Sequence, residues 1–251
     1  MKKILISTIF ILILITGYFY YTNNKSIGVD FLIGGCEIVE NAGEAVAVNT
    51  AQTFAQKHVI ANNKPYSWVP IGYYPVYNSS DSINYYAFVF RKSDFTKFTT
   101  LNSLEQNADN SSEDDDKYQF NDIASVWTGA SDGQKLLMRH YRGIPEIVAE
   151  KTKIKEFIES KYPDKTIGNI VADSEAGKMY FDIVTKSNGK STGDIIGLDY
   201  SEVSKRELIS NRDGANEKRY SHLSGDECAK MKQAVLQRES DFKEQWSKVG
   251  N

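Results

Sequence analysis

The chain has 251 residues, of which 41% are hydrophobic and 25% are charged, and both shares are those of an ordinary globular protein. Its 30 basic and 33 acidic residues leave a formal net charge of −3. Nucleic-acid binding requires a clustered basic excess, so no nucleic-acid partner is predicted. The length behind a short N-terminal segment allows one large domain or two small ones.

The N-terminus carries the strongest single signal. Lys2 and Lys3 precede Ile4 to Tyr21, a run of 18 residues without a charge. At ~1.5 Å per residue such a helix spans a hydrocarbon core of ~30 Å, and the lysines favour the cytoplasmic side. We therefore predict that residues 1–22 form a signal anchor or signal peptide, with the membrane as a partner and the domain outside the cytoplasm. A signal-peptide cleavage site needs small residues, and this segment has tyrosines at that place. An uncleaved transmembrane anchor in the cell membrane is therefore favoured. The alternative is a secreted or periplasmic protein after cleavage.

The chain has two cysteines, Cys36 and Cys228, and both follow the predicted export segment. An oxidising compartment favours a disulfide between them, and two independent buried thiols are the alternative. The sequence Leu32 to Cys36 looks like a lipoprotein cleavage box, but the polar stretch 22–30 separates it from the apolar run. Two cysteines so far apart are not a metal signature, so neither a metal nor a cofactor is predicted.

Residues 23–43 are predicted to be a linker, and residues 44–148 a first α+β module. Its helix is expected over 44–60, because Val48, Ala51, Ala55 and Val59 recur every three or four residues. Strands are expected at 67–77, 83–90 and 120–127, with 134–141 a further strand or a short helix, and Phe95 to Leu101 continuing the sheet. The polar residues 102–117 are expected to form a solvated acidic loop, because they lack the ligand alternation of a calcium site.

Residues 149–204 are predicted to form a second module. Lys151 to Tyr162 has the pattern of an amphipathic helix, and strands are expected at 166–172, 179–185 and 194–200. Residues 205–251 are expected to be an irregular segment followed by a C-terminal helix. That helix should begin at Ser224, because Ser224 and Glu227 have the spacing of a capping box.

No catalytic motif is found in the sequence. His58, His140 and His222 lack the spacing of a zinc site, and there is no nucleophile elbow, phosphate-binding loop or dinucleotide fingerprint. Cys228 near a helix start is a candidate thiolate nucleophile, but it begins an apolar stripe, which favours a disulfide or core role. Carboxylate pairs form in space and are not visible in a sequence, so whether the protein is an enzyme stays open, with a non-enzymatic role favoured.

Four segments of the second module resemble the PepSY-like module. These are Lys155 to Asp164, ending in Tyr-Pro-Asp; Ile167 to Ile170; Lys178 to Ile183; and Gly193 to Asp199. The resemblance implies a helix followed by antiparallel strands, the central one alternating aromatic and apolar residues. It covers about fifty residues and carries no catalytic residue.

The first module is similar to the propeptide-like inhibitor domains found with streptopain-type cysteine proteases. The similarity lies in Tyr74 to Tyr77, Tyr85 to Phe90 and Leu136 to Pro145, and it departs where a long acidic loop replaces a glycine-rich strand. Both families resemble the cystatin-like layout of a helix wrapped by a sheet. The expected fold class is therefore α+β, with two cystatin-like helix-plus-antiparallel-sheet modules and a C-terminal helix.

These observations favour a non-enzymatic extracytoplasmic module that binds a protein partner, with inhibition of a peptidase in trans as one form. The alternatives are a membrane-tethered envelope assembly factor and a hydrolase whose site is not visible in the sequence. Five tyrosines are either a recognition face or the half-buried face of a sheet, and the second interpretation is favoured; they are Tyr73, Tyr74, Tyr77, Tyr85 and Tyr86.

Overall fold

The computed structural model describes residues 29–33, 36–40, 43–108, 121–173, 178–210 and 223–249. The fold is α+β, as predicted. In chain order the elements are β1 (Val29–Ile33), β2 (Cys36–Glu40), α1 (Val48–Asn62), β3 (Trp68–Tyr77), β4 (Ile83–Lys92), α2 (Leu101–Ala108), β5 (Ile123–Gly129), β6 (Arg139–Arg142), α3 (Glu146–Ala149), α4 (Lys151–Lys161), β7 (Lys165–Ala172), β8 (Met179–Thr185), β9 (Ser191–Gly197), β10 (Glu202–Ser204) and α5 (Gly225–Ser247).

Eight strands form one sheet in the order β10-β9-β8-β7-β3-β4-β5-β6, and β1 and β2 form a separate hairpin. All neighbours in the large sheet are antiparallel except β3 and β7, which are parallel with Val76 opposite Ile170. Each half of the sheet therefore repeats one plan: α1 precedes β3 to β6, and α4 precedes β7 to β10. Because the first strands of the two halves run side by side in one direction, the helices fall on opposite faces of the sheet.

The first face of the sheet is covered by α1. Ala51, Ala55 and Val59 are fully buried, and the four-residue spacing of these positions places them on one side of the helix. Their small side chains allow the helix to approach the aromatic surface of β4, where Phe88 and Phe90 are fully buried. The end of α5 completes this core, because the Trp246 indole N–H donates to the Gln134 carbonyl at 2.8 Å.

The second face is covered by α2, α3 and α4. Ile154 and Ile158 of α4 are fully buried in one core with Val76, Ile170 and Phe181. Residues from both halves of the sheet contribute to this core, so α4 packs across the junction that the parallel strands create. Burying each isoleucine contributes roughly 1.5–3 kcal/mol by transfer from water.

The predicted capping box of the C-terminal helix is confirmed. Ser224 is the N-cap of α5: its hydroxyl accepts from the Glu227 N–H at 3.4 Å, and the Glu227 carboxylate accepts from the Ser224 N–H at 2.8 Å. Along the predicted apolar stripe of this helix, Val235 and Trp246 are the buried positions.

Several local predictions need correction. Phe95 to Leu101 does not extend the sheet; instead Thr100 caps α2, with its hydroxyl accepting from the Ser103 N–H at 3.2 Å. Of the two alternatives for residues 134–141, the strand is confirmed only for the second half, as β6 from Arg139; residues 134–138 are irregular, and the Gln134 side chain closes the preceding loop by accepting from the Ala130 N–H at 2.9 Å. Residues 202–210 are not irregular: they form β10 and a helical stretch at 205–210.

The transmembrane and disulfide predictions also need correction. In the described part of the chain no helix is long and apolar enough to cross a membrane; α5 has 23 residues, but charged residues recur along it. Residues 1–22, where the sequence places the anchor, lie outside the described residues. The side chain of Cys36 lies outside the described residues, so no disulfide joins two described side chains. The side chain of Cys228 is described, and it is not a free thiol.

Candidate functional site

A cavity of about 320 Å³ lies where the two halves of the sheet approach each other on its second face. We call it the main cavity. Its lining comes from β6, from the start of α3, from the start of β8 and from the turn between β9 and β10: Arg139, Tyr141, Pro145, Glu146, Ile147, Lys178, Met179, Tyr180, Gly197, Leu198, Asp199 and Ser201. Four strands separate β6 from β8 in the sheet, yet residues of both strands line this one cavity.

One wall of the main cavity is set by the sharp turn between β6 and α3. Gly143 has a φ of 95°, a conformation that suits glycine, and its N–H donates to the Ile123 carbonyl at 2.7 Å. The Ser125 hydroxyl donates to the Gly143 carbonyl at 2.8 Å from a fully buried position. These bonds fix the path of the chain as it leaves the edge strand and enters α3.

The opposite wall is the turn between β9 and β10. The Asp199 carboxylate accepts from both the N–H of Ser201, at 3.1 Å, and the Ser201 hydroxyl. These hydrogen bonds, helped by the charge of Lys178, hold the pKa of Asp199 below its usual range. Tyr200 lies between them with a φ of 62°.

A smaller cavity of about 120 Å³, the side cavity, adjoins the main cavity. Both are lined by Arg139, Lys178 and Met179, and the side cavity is further lined by Tyr85, Trp127, Met138, Ala172 and Asp173. Among the described residues neither Arg139 nor Lys178 has an ion-pair partner within 4 Å. The Arg139 guanidinium instead donates to the Tyr141 hydroxyl at 2.8 Å.

Trp127 provides a second unusual group at the side cavity. Its side chain is almost fully buried, and its indole N–H has no hydrogen-bond partner among the described residues. Leaving a buried donor unpaired costs about 1–3 kcal/mol. The nitrogen itself is buried, so this donor is not exposed to the cavity in the structure.

The strand β6 is the edge of the sheet beside these cavities. It pairs with β5 on one side, with Ser125 opposite Tyr141 and Val126 opposite His140. In an antiparallel pair, every second residue directs its N–H and C=O groups toward the neighbouring strand, and the residues between direct theirs away. Because the Gly143 N–H donates to the Ile123 carbonyl of β5, the backbone groups of His140 and Arg142 point away from β5. Arg139 and Tyr141 line the main cavity, whereas the His140 ring lies against His58 of α1, with ring centroids 5.2 Å apart.

Two of the three histidines, His58 and His140, are described by the structure, and both have lowered pKa values. Burial lowers the pKa of His58, and burial together with the nearby His58 and Arg142 lowers the pKa of His140. His222 lies outside the described residues. Among the described residues no group of three histidine, cysteine, aspartate or glutamate side chains is arranged to hold a metal ion.

The five tyrosines do not form one surface. Tyr73 and Tyr86 contact each other on the first face, with ring centroids 5.8 Å apart, whereas Tyr74 is buried in the core of the second face and Tyr85 lines the side cavity. The Tyr74 hydroxyl donates to Glu105 at 2.7 Å, and burial together with this carboxylate raises the pKa of Tyr74. Tyr73 is 39% exposed and Tyr86 is 7% exposed, so neither face presents them as a continuous aromatic patch.

A buried ion cluster ties the two halves together at the far end of the sheet. Lys205 lies 3.2 Å from the buried carboxylate of Asp182 and also pairs with Asp81 in the turn between β3 and β4. Burial alone would lower the pKa of Lys205, but the hydrogen bonds and charges of Asp81 and Asp182 outweigh it and raise that pKa. This cluster has the geometry of a structural cross-link, because its charges are mutually paired.

No family model, no curated protein and no solved structure matches this chain. The resemblances to PepSY-like modules and to streptopain-type propeptides therefore stay predictions.

Proposed function

We propose that this protein binds another polypeptide by adding an extended segment of that partner to the edge strand β6. The observation that carries the proposal is the position of β6: it is the last strand of the eight-stranded sheet, no described strand pairs with its outer side, and it forms one wall of the main cavity. Strand addition uses the free backbone groups of an edge for affinity and neighbouring pockets for specificity.

The geometry of β6 suits this mode of binding. An added strand would pair with the outward backbone groups of His140 and Arg142. Because side chains alternate across a strand, every second residue of the partner would point toward the main cavity. The remaining side chains would point toward the pair formed by His58 and His140 on the other face.

The chemistry of the main cavity favours binding over hydrolysis. Two carboxylates line it, Glu146 and Asp199; the low pKa of Asp199 keeps it ionised, so it could not serve as the general acid that a hydrolytic carboxylate pair needs at neutral pH. Cys228, the candidate nucleophile, is not a free thiol. We therefore favour a binding protein over the hydrolase alternative.

The test uses a displayed library of random octapeptides and the full chain. Peptides recovered by the wild-type protein are measured by fluorescence anisotropy against His140→Pro and His140→Thr. Both variants lose the imidazole ring, but only the proline removes the outward N–H, and an edge strand tolerates it. We expect His140→Pro to weaken binding about 5- to 30-fold relative to His140→Thr, corresponding to about 1–2 kcal/mol. Equal binding by the two variants, or recovery of no peptide, would contradict strand addition.

A further inference from the structure

We infer that the junction between the main and side cavities takes an acidic side chain, Asp or Glu, carried by the segment that adds to β6. This inference rests on the proposed function and specifies the chemistry of the partner. It depends on two cationic side chains that line the junction and on the absence of an ion-pair partner for either of them among the described residues.

Two cationic hydrogen-bond donors line the junction. Arg139 and Lys178 each line both the main cavity and the side cavity. Guanidinium and ammonium groups donate hydrogen bonds and accept none. Their complement is a group that only accepts, and an ionised carboxylate is the side chain with that property.

The acidic residues of the lining do not supply that complement. Asp199 accepts two hydrogen bonds from Ser201, and Asp173 has interactions of its own. Glu146 is exposed in the first turn of α3, and it lines the main cavity but not the side cavity. Asp199 is near enough to Lys178 for that charge to lower its pKa, but among the described residues no carboxylate lies within 4 Å of the Arg139 or Lys178 side-chain nitrogens.

The apolar part of the lining suits the stem of such a side chain. Met179 lines both cavities beside the two cations, and Leu198 and Ile147 line the main cavity. The methylene groups of Asp or Glu would pack against these side chains while the carboxylate reaches the donors. The arginines at both ends of β6 act in the same direction, because Arg139 and Arg142 repel a second copy of this strand and attract an acidic segment.

The test compares matched peptides on the full chain. From the octapeptides selected above, we expect Asp or Glu to be enriched at one position. A synthetic peptide with Glu at that position should bind about tenfold tighter than the same peptide with Gln, because charge-assisted hydrogen bonds are stronger than neutral ones. Arg139→Gln and Lys178→Gln should each abolish most of that preference. Lys190→Gln is the control: it removes one positive charge at the other end of β8, where Lys190 is exposed, and should leave the preference unchanged.

The outcomes separate this inference from the proposed function. Selected peptides that bind through β6, with His140→Pro weakening them, but show equal affinity for Glu and Gln would overturn the acidic specificity alone. A preference for Lys or Arg would overturn it as well and would point to Glu146 and Asp199. A Glu preference that Lys190→Gln reduces as much as Arg139→Gln would reflect overall charge and would also contradict the inference.

Discussion

The two ends of the eight-stranded sheet have the same place in the repeated plan but are built differently. At one end, β10 is three residues long, continues directly into the helical residues 205–210, and has its Glu202 engaged by Lys161 at 2.9 Å and by the Tyr162 hydroxyl at 3.1 Å. At the other end, β6 leaves the backbone groups of His140 and Arg142 directed outward beside a cavity. A sheet edge is a template for pairing unless it is covered or shortened, and no described strand pairs with the outer side of β6, so the difference supports β6 rather than β10 as the proposed binding edge.

The charges at the two ends lead to the same conclusion. Near β10, Lys205 is buried and paired with Asp182 and Asp81, so its charge is compensated inside the fold. Near β6, Arg139 and Lys178 line a cavity without an ion-pair partner among the described residues. Compensated charges stabilise the fold, whereas uncompensated ones at a cavity are available to a ligand.

The largest expected effect is at the β10 end. Lys205→Met should lower the free energy of unfolding by about 3–5 kcal/mol, because Asp182 would stay buried without its cation. Chemical denaturation with urea measures the change. Adding Asp182→Asn to the same chain should recover part of the loss, since the uncompensated charge is then removed.

Peptide binding at β6 should be nearly unchanged in the Lys205→Met variant under conditions where it is folded. A loss of stability below about 1 kcal/mol would mean that the cluster does not hold the β10 end together, and the contrast between the two ends would lose its energetic basis.

A smaller effect is expected at the β6 end. Gly143→Ala should lower the free energy of unfolding by about 1–2 kcal/mol, because alanine is strained at the φ of 95° that ends this strand. It should also weaken peptide binding, since the turn positions β6 against the main cavity. Gly189→Ala is a matched control for strain alone: Gly189 has a φ of 66° in an exposed turn remote from β6. If both variants weakened binding equally, the turn at Gly143 would have no special role in the site.

The smallest effect is a pH dependence from the pair of histidines behind β6. The pKa values of His58 and His140 are lowered in the folded protein, so below about pH 6.5 the unfolded chain binds protons that the folded chain does not. This linkage makes the folded state lose stability as the pH falls through that range. Groups facing the pair include Arg142, which disfavours protonation, and Asn62 and Asn63, which are neutral.

Urea denaturation between pH 7.5 and 5.5 measures the contribution of this pair as the difference between wild type and the double variant His58→Gln, His140→Gln. The slope of stability against pH should be smaller in the double variant. An unchanged slope would show that the pair does not titrate differently in the folded and unfolded states.

Local features of this fold were predictable from the sequence, whereas the site was not. The helix at 151–161, the strand at 179–185 and the capping box of Ser224 follow from short-range periodicity and spacing. The parallel pairing of β3 with β7 joins residues almost a hundred positions apart, and no local pattern encodes it. The main cavity is lined from strands on both sides of that pairing, so its two walls cannot be matched in a sequence.

One signal for the site was present in the sequence. Arg142 to Pro145 has a glycine and a proline close together, shortly before the predicted boundary between the two modules at residue 148. In the structure this segment is the turn that directs the chain from β6 into α3 and forms a wall of the main cavity. A short strand rich in arginine and aromatic residues before such a turn is a feature that sequence analysis can look for.

Hydrogen exchange of the full chain, with and without a selected octapeptide, tests strand addition most directly. Strand addition predicts that the amides of His140 and Arg142 become protected when the peptide binds, because their N–H groups then donate to the added strand. The amides of Glu202 to Ser204 should exchange at unchanged rates. Protection at β10 instead, or binding without protection of His140 and Arg142, would contradict the account.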